Sequence, residues 1–112
     1  MVTRVKWIII LVMRKSIEVP FDRLKEFCRK WKIAELSFFG SVLREDFGPD
    51  SDIDVLVSFS PEAKWTLFDF VDMRDELKEI LGRDVDLVSK AGLRNPFRRH
   101  EILNSREIVY AA

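Results

Sequence analysis

Asp52 and Asp54 are separated by one residue in a stretch where Ile53, Val55 and Val57 alternate with them. A period of two is that of a strand, so both carboxylates leave one face, about 7 Å apart along the backbone. Carboxylates held that close repel each other and resist losing water, and a divalent cation relieves both costs. Hard oxygen ligands with water positions left open suit Mg²⁺, which takes one or two carboxylates and fills its shell with substrate phosphates. Gly40 and Ser41 stand ahead of Asp52, with ten residues between Ser41 and Asp52. Glycine permits close backbone approach, the serine hydroxyl can donate to a phosphate oxygen, and free N–H groups at a helix start attract anions. A phosphate cradle beside a metal-binding carboxylate pair is a triphosphate site. A third aspartate, Asp86, can complete the shell of a second ion and accept the proton of an attacking hydroxyl, as in a two-metal in-line displacement. Arg44, four residues after Gly40, can reach a phosphate or pair with Glu45 or Asp46.

These residues need elements to hold them. Apolar residues recur at helical spacing through Phe21, Leu24, Phe27, Cys28 and Trp31, behind a proline suited to a first helical position, Pro20. Glu35 to Phe39 is strand-compatible and runs directly into Gly40-Ser41, where a helical turn is expected; Gly48-Pro49-Asp50-Ser51 marks a turn before the aspartate strand. Thr66 is placed to cap a helix with Asp69 three residues on; Leu67, Phe70, Val71, Leu77 and Leu81 form its expected buried stripe and Gly82 its stop. Asp84 to Val88 reads as a third strand carrying Asp86, followed by a short helix over Pro96 to Leu103 and a last strand at Ile108 to Tyr110. This order predicts an α/β (α+β) domain in which a small mixed sheet packs against helices.

The runs Phe39-Gly40-Ser41-Val42-Leu43-Arg44, Asp50-Ser51-Asp52-Ile53-Asp54-Val55-Leu56-Val57 and Gly82-Arg83-Asp84-Val85-Asp86-Leu87-Val88 resemble the minimal nucleotidyltransferase (MNT) family of the DNA polymerase β-like superfamily. The similarity extends from Ile17 to Tyr110, which divides the chain into an N-terminal extension (1–16) and a minimal nucleotidyltransferase domain (17–112) with a polymerase β-like palm fold. The resemblance implies that Asp52, Asp54 and Asp86 are the catalytic, metal-binding aspartates, that Gly40 and Ser41 bind phosphate, and that two Mg²⁺ ions and ATP are required. Asp84 stands where relatives often carry a basic residue. Members of the family are commonly encoded beside a HEPN-domain RNase toxin, and the resemblance implies an antitoxin that transfers AMP from ATP to a partner hydroxyl, a tyrosine in characterised cases. A non-catalytic antitoxin acting by direct binding is the competing reading.

Other features restrict the function further. At 112 residues the chain fits a single domain and leaves no room for the additional domains of polymerases or antibiotic-modifying relatives. It must therefore borrow part of its acceptor site from a partner or a second copy, so a homo- or hetero-oligomer is expected. Nineteen basic and 19 acidic residues cancel, which argues against coating nucleic acid or an anionic membrane. Cys28 is the only cysteine, so no intramolecular disulfide forms and a cytoplasmic location is expected. The apolar run from Trp7 to Met13 is too short to span a bilayer, and Arg14-Lys15 follow without a cleavage site; a strand, a partner contact or a start at Met13 fits better than a signal peptide. Arg94, Arg98, Arg99 and His100 read as a solvated helix face or a contact to nucleotide or partner. Trp65, in the loop leaving the aspartate strand, reads as a core anchor or a substrate platform.

Overall fold

The computed structural model describes residues 20–40 and 51–112. The expectations for the N-terminal extension, for Ser41 and Arg44 and for the turn at Gly48 to Asp50 lie outside the described residues.

Helix α1 (Phe21–Lys30) begins with Pro20 as its N-cap residue, whose carbonyl accepts the Leu24 N–H at 3.0 Å. Asp22 in its first turn and Arg29 and Lys30 in its last complement the helix dipole. Its apolar stripe buries Leu24, Phe27 and Cys28, as the spacing predicts. Lys32, at φ 54°, turns the chain into β1 (Ile33–Phe39), two residues earlier than expected. Strand β2 (Ile53–Phe59) carries Asp54, with Asp52 immediately before it. Helix α2 (Leu67–Leu81) opens with the predicted capping box: Thr66 Oγ1 accepts the Asp69 N–H at 3.2 Å, and Asp69 Oδ2 accepts the Thr66 N–H at 2.9 Å. Gly82, left-handed at φ 68°, ends it by donating to the Lys78 carbonyl. Strand β3 (Val85–Ser89) follows, then a short 3₁₀ turn (Lys90–Gly92), α3 (Pro96–Ser105) and β4 (Glu107–Ala111). Asn95 caps α3, accepting from the N–H groups of Phe97 and Arg98.

The four strands form one mixed sheet in the order β3-β2-β1-β4. β1 lies antiparallel to β2 and to β4, whereas β2 and β3 run parallel, joined by α2. α1 and α2 cover one face through Leu24, Phe27, Met73, Leu77 and Ile80, packed on Ile53, Val55 and Val57. The opposite face carries a smaller cluster, in which Leu93 and α3's Ile102 meet Phe39 and Leu56. Arg106, just beyond α3, pairs with Glu35 of β1, both being largely buried, and fixes that layer to the sheet. At full burial of a leucine or phenylalanine side chain worth about 1.5–3 kcal/mol, the larger face dominates stability.

One expectation is corrected. Leu67 is 77% exposed and Val71 is also exposed, so the buried stripe of α2 runs through Met73, Leu77, Ile80 and Leu81, with Phe70 partly buried. In the first turn of α2, Leu67 and Phe68 face solvent. Trp65 is an anchor: its Nε1 donates to the Trp31 carbonyl at 2.9 Å and its ring meets Trp31 edge-on, on the large core's side of the sheet.

Candidate active site

The aspartates gather at one end of the sheet because two adjacent strands, β2 and β3, bring them there in register. Asp54 pairs with Phe39 across the antiparallel β1–β2 ladder and with Asp86 across the parallel β2–β3 ladder. Adjacent strands lie about 4.8 Å apart, so Asp54 and Asp86 stand side by side. Asp52 sits one strand repeat before Asp54. All three leave the sheet on the face away from α1 and α2, because Ile53, Val55, Val85 and Leu87, which alternate with them, are buried in the large core.

Among the described residues, that face is covered only in part. Leu56 and Val88, two residues beyond Asp54 and Asp86, lie beneath Leu93 and Ile102, whereas Asp52 and Asp86 are exposed and Asp54 is partly so. The carboxylates thus stand where the small layer ends, open to a ligand from solvent.

Gly40, the residue after Phe39, lies against this group. It adopts φ 69°, and a Cβ there would sit 3.2 Å from Asp54 Cγ and collide with Oδ2. Both backbone conformation and space require glycine. The sequence indicates glycine for phosphate approach; the structure adds that it makes room for the Asp54 carboxylate, a long-range contact that no local pattern signals.

Among the described residues, no three His, Cys, Asp or Glu side chains converge tightly enough to hold a metal ion unaided. The donor chemistry nevertheless fits a hard cation: the acidic side chains are oxygen donors, Asp54 and Asp86 stand abreast, and their open side admits phosphate oxygens that Mg²⁺ ordinarily keeps in its shell. Asp84 belongs to the same corner. The Ile53 N–H donates to the Asp84 carbonyl at 2.9 Å, and the Asp84 carboxylate pairs with Lys78 at 3.2 Å, so its charge is matched from α2. Of the basic cluster, Arg99 donates to the carbonyls of Lys90 and Leu93 and so ties α3 to the turn before it. His100 contacts Asn104 on the exposed side of α3, and Arg94 and Arg98 are exposed.

A model of the nucleotidyltransferase domain matches residues 22–109, a span that takes in Gly40, Asp52, Asp54 and Asp86. The chain belongs to the nucleotidyltransferase domain family. It is 35% identical over 86 residues to the protein adenylyltransferase MntA of Thermococcus cleftensis, covering 77% of this chain and 82% of that one. A crystal structure of a toxin–antitoxin with AMP-PNP superposes with a TM-score of 0.68 at 18% identity, covering 84% of this chain and 75% of its own. The complex of a tri-AMPylated Shewanella oneidensis HEPN toxin with its MNT antitoxin gives a TM-score of 0.59 at 18% identity, over 82% and 70% of the two chains. At such identities these structures establish the fold. It is the minimal nucleotidyltransferase architecture expected from the sequence motifs. Among the described residues no helix is long and apolar enough to cross a membrane.

Proposed function

We propose that this nucleotidyltransferase moves the adenylyl group of ATP to a hydroxyl, a tyrosine in the first instance, of a HEPN-type RNase toxin and thereby acts as its antitoxin. The observation that carries this reading is the register that sets Asp54 beside Asp86, with Gly40 closed against Asp54. The acceptor oxygen attacks the α-phosphorus, the bond from that phosphorus to the β-bridging oxygen breaks, and pyrophosphate leaves. Asp86, exposed on the open side of the sheet, takes the hydroxyl proton. Asp52, Asp54 and Asp86 would hold Mg²⁺, which when bound supplies positive charge to the polyphosphate and to the oxygens that gain charge in the displacement. Gly40 and Ser41 receive phosphate through their backbone N–H groups and the serine hydroxyl, with Arg44 as a further phosphate contact.

Support comes from the named activity of the Thermococcus relative and from the toxin partners of the structures that share the fold. The test uses ATP labelled at either the α or the γ position, with Mg²⁺ and the HEPN-type partner. Label arriving from the α position alone is the expected result. Label from the γ position would mean phosphoryl transfer, and association without label would favour an antitoxin that works by contact.

A further inference from the structure

Four aspartates, rather than three, occupy this corner of the sheet. The pairing of Ile53 with Val85 and of Asp54 with Asp86 continues backward through the bond from the Ile53 N–H to the Asp84 carbonyl, which sets Asp84 beside Asp52. Alternation alone would send the side chains of Asp84 and Asp86 to the same face. Asp84, however, is bound to Lys78 Nζ at 3.2 Å, and Lys78 lies in the last turn of α2, which packs on the opposite face of the sheet. The left-handed turn at Gly82, anchored on the Lys78 carbonyl at 2.8 Å, folds the chain back so that the two side chains meet.

We propose that Lys78 is a positioning residue that keeps the Asp84 carboxylate off the cation-binding face, so that this face presents three carboxylates instead of four. The inference rests on the cation assignment proposed above. Charge explains its use. Two divalent cations against three carboxylates leave one positive charge for the triphosphate, and a fourth carboxylate would cancel it. An acidic residue at position 84 is therefore tolerated because α2 supplies its counter-charge.

The experiment is a Mn²⁺ titration of the nucleotide-free protein at low salt, with free Mn²⁺ read from its electron paramagnetic resonance signal. Lys78→Met should tighten Mn²⁺ binding by roughly threefold or more, the effect expected for releasing a unit charge about 7 Å from a dication in a water-like dielectric. Lys78→Arg should retain the wild-type affinity. In an Asp84→Asn background, Lys78→Met should lose most of its effect, because no carboxylate remains to be released. Equal tightening in both backgrounds would make Lys78 a simple surface charge and overturn the proposal, as would no tightening at all. Asp54→Asn separates the two levels of the argument. Should it leave Mn²⁺ binding untouched, or should the wild type bind none, the cation assignment fails and this inference fails with it; binding that responds to Asp54→Asn but not to Lys78→Met refutes the inference alone.

Discussion

Gly40 and Gly82 provide a controlled pair, since their backbones are almost identical and their surroundings are not. They adopt φ 69° and 68°, yet a Cβ at Gly40 would run into the Asp54 carboxylate, whereas one at Gly82 would meet nothing within 4 Å. Alanine at either position bears the left-handed backbone cost, about 1–2 kcal/mol. For a domain near this size that lowers the melting temperature by roughly 4–8 °C per kcal/mol. Only Gly40→Ala must also move Asp54, whose Cγ would lie 3.2 Å from the new methyl group. A displacement of about 1 Å at a reacting centre can cost on the order of 10²-fold in rate. The two variants should therefore melt similarly and differ widely in adenylyl transfer, measured below both melting points. Equal activities in Gly40→Ala and Gly82→Ala would refute the claim that Gly40 sets the position of Asp54.

Three stability measurements probe the frame around the site. Ser37 is fully buried and, among the described residues, its hydroxyl has no hydrogen-bond partner, so Ser37→Ala should leave urea stability unchanged or raise it by up to about 1 kcal/mol; a clear loss would reveal a partner for the hydroxyl. Arg106→Ala strips the counter-charge from a largely buried Glu35 and should cost about 1–3 kcal/mol, with Glu35→Gln in the same chain recovering part of it. Asp69→Ala removes one arm of the Thr66 capping box and should cost about 1 kcal/mol by thermal melting, with activity retained at lower temperature.

Much of this was legible because local chemistry dictates it. Thr66 and Asp69 mark a helix start, Gly82 a helix stop, and the alternation of Asp52 and Asp54 with Ile53 and Val55 a strand with one acidic and one buried face. The stripe of α2 was misread for a physical reason. Leu67, Phe70 and Val71 offer apolar residues on more than one side of the first turn, and a 3.6-residue period does not choose between the stripe through Leu67 and Val71 and the one through Phe70, Met73, Leu77 and Ile80. Packing against the sheet decides it, and burial begins at Phe70 and Met73. Strand order is likewise absent from periodicity: that β4 closes on β1 depends on contacts such as Arg106 with Glu35, 71 residues apart. At the site, the aspartates were legible as a set. Their register, the contact between Gly40 and Asp54, and the pairing of Asp84 with Lys78 required the folded chain, because each joins separate elements.

The central claim, that these aspartates transfer AMP to a protein, is tested most directly by the intact mass of a HEPN-type partner after co-expression with this chain. Wild type should add one or more adenylyl units to the partner, and the Asp52→Asn/Asp54→Asn variant should add none while still co-purifying with it. An unmodified partner with the wild type, or an adenylylated one with the double variant, would contradict the account.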